Sequence, residues 1–204
     1  MKEKLRNPFV QQYLMEIVLP LAGYFFFDWD VLIIGVYYFL DYLSGQVLFY
    51  RRAYWVMTKN AARGKFYLIF ISITLFLAFF ITEFIVFSDT VMVYNHWEFG
   101  VFYNQILAFA KEELWLLFPV LLFVTHFQDQ FTFYAPRRYL KRDYTKFVLS
   151  DMFKGGIVFV LFMMGIFLWD KFMPHELVVI FGFIIGKVIF DLTLKNKIDK
   201  IAFV

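Results

Sequence analysis

Six apolar stretches of about 20 residues each dominate the sequence and limit what it can fold into. About 20 helical residues cross the hydrocarbon core of a membrane, and a chain inside lipid must satisfy its backbone hydrogen bonds internally. Strands of a membrane barrel would alternate polar and apolar residues, and these stretches do not. The sequence therefore predicts an all-α, polytopic helix bundle, with a single transmembrane domain over residues 1–204. The six predicted spans are residues 9–27, 30–50, 66–87, 103–127, 147–169 and 176–194.

Composition supports a membrane protein and excludes several classes of site. Hydrophobic residues make up 62% of the chain, whereas soluble domains contain about 45–50%. The absence of cysteine excludes disulfides, thiolate metal sites and cysteine nucleophiles. The N-terminal stretch is basic and then apolar, like a signal peptide, but it lacks a small-residue cleavage site and contains Glu16. We interpret it as a retained first span.

The distribution of basic residues predicts the orientation of the bundle. Sixteen of the 20 Lys and Arg residues fall in four segments, namely the N-terminus, the second and fourth connections and the C-terminus. The intervening segments are mainly acidic. By the positive-inside rule, both termini lie in the cytoplasm and the protein is a multi-pass protein of the cell inner membrane.

Ionisable residues inside the spans are the candidate functional groups, because each costs about 2.5–3.5 kcal/mol at the bilayer centre. Counting inward from the outer ends at about 1.5 Å per residue places Glu16, Asp41, Glu113 and Lys187 at a similar depth near the midplane. Asp191 follows Lys187 by one helical turn, on the same face. The counting predicts that the three carboxylates surround Lys187, and it puts Glu83 nearer the outside, with Lys111.

Two interpretations of these charges remain open. Buried carboxylates without a cation either bind one or take up a proton, which predicts a proton or cation site. Alternatively, local ion pairs between Lys187 and Asp191, and between Asp151 and Lys154, serve only to fix helix packing.

The loop before the fifth span mixes aromatic and basic residues. Its candidates for binding anionic lipid headgroups are Arg137, Arg138, Lys141 and Arg142. The alternative is that these charges only set the orientation of the chain. Nothing in the loop is specific for nucleic acid.

Motifs for catalysis and cofactors are missing from the sequence. There is no Gly-x-Ser-x-Gly elbow, no His-Glu-x-x-His pair and no phosphate-binding glycine loop. We therefore predict no enzymatic activity, no catalytic residue, no metal site and no cofactor.

Two stretches resemble an uncharacterised prokaryotic family of small multi-pass membrane proteins, classed as a domain of unknown function. One is LPLAGYFFFDWDVLIIGVYYFLDYLSG, from Leu19 to Gly45, and the other is GKVIFDLTL, from Gly186 to Leu194. The resemblance implies that shared positions belong to a common architecture. These positions are Pro20, Gly23, Trp29, Tyr38, Asp41, Lys187 and Asp191.

The leading functional hypothesis is a small transporter or channel-like protein that binds protons or cations at a midplane carboxylate cluster. On this hypothesis Asp41→Asn abolishes pH-dependent flux. The alternative is an accessory or scaffold subunit of a larger membrane complex. The expected partners are the lipid bilayer and either further copies of this chain or the other subunits of a membrane complex. Gly182 and Gly186 are spaced for close approach of two helices, within one chain or between two.

Overall fold

The computed structural model describes residues 8–27, 29–59, 63–172, 181, 182 and 184–186 of the 204-residue chain. Regular secondary structure in these ranges is helical, as predicted. The α-helices are α1 Pro8–Phe26, α2 Val31–Lys59, α3 Tyr67–Asn95, α4 Phe99–Phe109, α5 Trp115–Asp129 and α6 Tyr144–Phe172. Short π-helical segments follow α4 (Ala110–Leu114) and α5 (Gln130–Tyr134), and short 3-10 helices span Arg63–Lys65 and Arg138–Lys141.

Within the described ranges, three helices are long and apolar enough to cross a membrane, which indicates a membrane protein by length and composition. They cover Leu32–Lys59, Tyr67–Asn95 and Tyr144–Phe167, and they coincide with the second, third and fifth predicted spans. Two shorter apolar helices, Ile17–Phe26 and Trp115–Phe127, fall within the first and fourth predicted spans. The sixth predicted span lies largely outside the described residues.

The helices extend beyond the ends that hydropathy predicts. Helix α2 continues to Lys59 rather than to residue 50, and α3 continues to Asn95 rather than to residue 87. A hydropathy count detects where apolar character stops, but a helix stops only where the backbone is capped or broken. Helix α3 ends at His96, which is left-handed with φ 54° and whose N–H reaches the carbonyls of Met92 and Val93.

The fourth predicted span is interrupted, contrary to the prediction of one continuous helix over residues 103–127. The π-helical segment Ala110–Leu114 separates α4 from α5. Pro119 lies inside α5 and has no N–H to offer the carbonyl four residues earlier, at Trp115. The missing hydrogen bond falls directly after the π-helical segment. The wider turn of a π-helix allows the neighbouring backbone hydrogen bonds to change partners there.

Side-chain caps explain where two of the long helices begin. The Asp30 carboxylate accepts a hydrogen bond from the backbone N–H of Ile33 at 2.8 Å, in front of α2. Asp143 does the same for the N–H of Lys146 at 2.8 Å, in front of α6. Both are the N-cap arrangement that short polar side chains favour.

The turn from α1 into α2 is closed by Trp29, one of the residues that carry the family resemblance. Its backbone N–H donates to the carbonyl of Gly23 at 3.0 Å. The indole ring covers Gly23 so closely that a Cβ there would lie 2.2 Å from Cε3 of Trp29. Gly23 and Trp29 therefore have a packing role, because only glycine leaves room for the ring.

Helix α3 lies against both α2 and α6. Its buried residues are Ile69, Ser72, Phe76, Glu83, Phe87, Ser88 and Val91. Apart from Ser88 they follow one another at three, four or seven residues, which keeps them on one face. Stacking of Phe79 on Phe159, with ring centroids 4.8 Å apart, joins α3 to α6. Phe39 of α2 contacts Phe80, Phe84 and Phe87 of α3.

Two hydrophobic clusters form the core, one towards each end of the bundle. The Phe87 cluster consists of Leu32, Ile34, Phe39, Phe87, Val91, Phe102, Ile166 and Ile184. The Phe147 cluster consists of Phe49, Ala53, Val56, Met57, Ile69, Phe133, Tyr144, Phe147 and Val148. Helices α2, α3 and α6 each contribute to both clusters. The middle residues of these three helices therefore lie between the two clusters.

Candidate functional site: a buried polar layer

A polar layer separates the two hydrophobic clusters at the middle of α2, α3 and α6. On each helix its residues lie between those of the Phe87 cluster and those of the Phe147 cluster. Its members are Asp41, Tyr42, Ser44, Gln46, Ser72, Glu83, Ser150, Asp151 and Lys154. Polar groups at this depth are expensive in lipid and are found where they have protein or water partners, which makes the layer the candidate site.

Glu83 is the most deeply buried ionisable residue of the layer, with only 2% of its surface exposed. It lies 12 residues before the end of α3 at Asn95, which is about 18 Å along the helix. Within the described part of the chain, its Oε1 atom has no hydrogen-bond partner. A buried carboxylate oxygen without a donor carries a large desolvation cost if the group is ionised.

The Tyr42 phenol lies close enough to Glu83 and Asp151 to interact electrostatically with both carboxyl groups. Gly155 of α6 leaves space for it, because a Cβ at that glycine would stand 3.4 Å from the Tyr42 oxygen. Tyr42 of α2 thus interacts with a carboxyl group of α3 and with a carboxyl group of α6. A phenol can donate to either one and accept from a protonated one.

A second phenol extends the layer towards the Phe147 cluster. The Tyr50 hydroxyl lies 3.5 Å from Oγ of Ser72 and interacts electrostatically with Asp151. Ser44 and Ser150 use their hydroxyls locally and donate to the backbone carbonyls of Asp41 and Phe147 at 2.8 Å. The Tyr42 phenol therefore interacts with carboxyl groups on two different helices, and the Tyr50 phenol interacts with one of them.

The structure describes the residues of the predicted midplane cluster to different extents. Asp41 lies in the polar layer, is half-buried and interacts with neighbouring protein groups. Glu16 is on α1 and Glu113 is in the π-helical segment Ala110–Leu114, but their side chains are outside the described part. Lys187 and Asp191 also lie outside it, so convergence around Lys187 stays a prediction.

The sequence reasoning underestimated Glu83. It assigned Glu83 to the outer end of its span because it ended that span at residue 87, whereas α3 continues to Asn95. Lys111, its predicted companion, is exposed while Glu83 is buried. The spacing of Ser72, Phe76, Glu83 and Phe87 was the available signal, since one helical face repeats every three or four residues.

Arg142 is a correction to the predicted lipid-headgroup site. Its side chain is only 9% exposed, and its guanidinium lies over the rings of Phe133 and Phe147, 5.4 and 4.7 Å from the centroids. It therefore packs inside the protein, as a weakly hydrated planar cation can. Arg137 and Lys141 are exposed, and the side chain of Arg138 is outside the described part.

Among the described residues, no group of three or more His, Asp or Glu side chains is arranged to hold a metal ion. Comparison with family models, with curated proteins and with solved structures found no match to this chain.

Proposed function

We propose that this membrane protein binds and releases a proton at Glu83, as part of proton- or cation-coupled transport. The observation that carries the proposal is the burial of Glu83 in the middle of α3, with Oε1 lacking a hydrogen-bond partner in the described part of the chain. A carboxyl group in such surroundings is stabilised by taking up a proton or by binding a cation. Ionisable groups at membrane depth commonly serve as proton relays.

The neighbours of Glu83 support exchange of that proton between helices. Tyr42 interacts with both Glu83 and Asp151, and Tyr50 interacts with Asp151. Ionising two carboxyl groups close together in lipid costs more than ionising one, so a proton shared around Tyr42 lowers the free energy of the layer. Lys154 follows Asp151 by three residues on α6 and adds a positive charge to the same layer.

Reaction with dicyclohexylcarbodiimide tests whether Glu83 holds a proton. This reagent enters lipid and modifies protonated carboxyl groups, so we expect Glu83 to be labelled near neutral pH and less so at alkaline pH. Peptide mass spectrometry locates the label. Glu83→Gln should abolish it, whereas Asp89→Asn, at an exposed position on the same helix, should leave it unchanged. Absence of labelling between about pH 5 and pH 9 would reject a protonated Glu83 and favour the scaffold role.

We propose that the chain crosses the cell inner membrane six times, with both termini in the cytoplasm. The support for this orientation is the concentration of basic residues in alternate connections. Because the chain has no cysteine, single cysteines can be introduced without a background. We expect Lys141→Cys to react with an impermeant maleimide only after the membrane is opened, and Glu98→Cys to react in intact cells. The reverse pattern would contradict this orientation.

A further inference from the structure

A cluster of hydrogen-bond donors lies where α2 leaves the apolar part of the bundle. Arg51 follows Leu32, the start of the span, by 19 residues, which is about 30 Å along a helix and about the thickness of the hydrocarbon core. Trp55 and Tyr134 pack beside it, with ring centroids 6.1 Å apart. Aromatic rings of this kind are enriched where lipid headgroups begin. Arg51 is therefore at headgroup depth.

The neighbouring arginine already has an anionic partner. Arg52 donates from Nη1 to Oδ1 of Asp129 at 3.3 Å, and Asp129 is only 4% exposed. This pair joins α2 to α5 and neutralises one positive charge. The Nε atom of Arg52 is buried and has no hydrogen-bond partner among the described residues.

Arg51 instead contacts a neutral group. Its Nη1 lies 3.0 Å from Nδ1 of His126, and because a guanidinium can only donate, Nδ1 must accept and the imidazole must be neutral. The hydrogen of the imidazole is then on Nε2, which lies 3.2 Å from the amide nitrogen of Gln130; two donors cannot bond each other, so the amide group must be turned over. The carboxamide satisfies this arrangement with its oxygen turned towards Nε2, which leaves its NH₂ group as a further donor.

Unused N–H donors remain on Arg51, while the carboxylate of Asp129 is paired with Arg52. The guanidinium of Arg51 is exposed and has further N–H groups beyond the one directed at His126. The Tyr134 ring lies 5.7 Å from the Arg51 guanidinium, and its hydroxyl is buried with no hydrogen-bond partner in the described ranges. Burial raises the pKa of the Tyr134 phenol, so the hydroxyl keeps its proton and remains a donor.

We propose that the exposed guanidinium of Arg51 forms a binding site for a phosphate group, and that its occupant is the headgroup of an anionic phospholipid. A phosphate supplies acceptor oxygens and negative charge to an arrangement that has donors and an uncompensated guanidinium. The depth of Arg51 and the surrounding aromatic rings favour lipid over free phosphate as its source. This site is independent of Glu83, and it replaces Arg142 as the point of headgroup contact.

Lipid binding by the purified full-length protein tests the proposal. Native mass spectrometry would count bound molecules during titration with phosphatidylglycerol, with phosphatidylcholine and with inorganic phosphate. We expect phosphatidylglycerol to bind in preference to phosphatidylcholine, and Arg51→Gln to weaken it by about tenfold or more. Lys146→Gln removes the same charge from an exposed position outside the predicted headgroup site and should change binding less than about twofold.

Two further measurements identify the source of the phosphate and test whether a loss of binding is caused by misfolding. Inorganic phosphate that displaces the lipid at similar concentrations would overturn the lipid assignment. Arg51→Lys keeps the charge but loses the planar fork of donors, so it should fold and bind with intermediate affinity. Equal loss of binding in Arg51→Gln and Lys146→Gln, or no loss in either, would show general charge attraction and overturn the site.

Discussion

Gly35→Ala should destabilise the protein by about 2–3 kcal/mol, although it adds a single methyl group to a helix. A Cβ at Gly35 would lie 2.1 Å from Cζ of Phe87. The Phe87 ring is 0% exposed and is held between Phe39 and Phe162, with centroids 5.5 and 6.5 Å away. Because the ring has no free space to enter, α2 and α3 must separate. The midpoint of unfolding in detergent measures the effect.

Gly45→Ala is the matched control for this substitution. Gly45 is on the same helix, but a Cβ there meets nothing within 4 Å. Alanine has the higher helix propensity, so the control should be neutral or should stabilise by up to about 1 kcal/mol. The double variant Gly35→Ala with Phe87→Leu should recover part of the loss, since leucine lacks the outer ring atoms. Equal stability of the two alanine variants would contradict close contact between Gly35 and Phe87.

The contact between Gly35 and Phe87 also shows what the sequence could and could not reveal. Apolar runs long enough to span lipid predicted the helical fold, because the hydrophobic effect and backbone satisfaction act on the composition of each segment separately. Nothing local distinguishes Gly35 from Gly45, since the difference is that the Phe87 ring lies against Gly35 while the space beside Gly45 is open. Pairwise packing between distant helices is therefore outside what hydropathy predicts.

The candidate site was predicted in part for the same reason. Depth counting predicted a polar layer and included Asp41, because depth depends only on where a span begins and ends. It put Glu83 nearer the outside because it ended the third span at residue 87, whereas α3 continues to Asn95, where the turn at His96 ends it. Counting residues gives a position along the helix but not the side of the helix on which a side chain lies. It therefore could not show that Glu83 faces the interior while Lys111 is exposed.

Glu83→Gln should reduce proton flux to the level of empty vesicles when the protein is reconstituted into liposomes containing a pH-sensitive dye. The amide has nearly the same shape but cannot be ionised, so it cannot exchange a proton with Tyr42. An ion gradient or a diffusion potential supplies the driving force, and the initial rate of the dye signal gives the flux. Asp89→Asn, at an exposed position on α3, should keep the full rate.

Asp41→Asn separates the two placements of the proton site. If the proton is held at Glu83, this variant should keep most of the flux, because Asp41 is half-buried and already interacts with protein neighbours. If the carboxyl groups around Lys187 hold it instead, Asp41→Asn should abolish the flux and Glu83→Gln should spare it. Full flux in both variants would remove the polar layer from any proton pathway, and its carboxyl groups would then act only in helix packing.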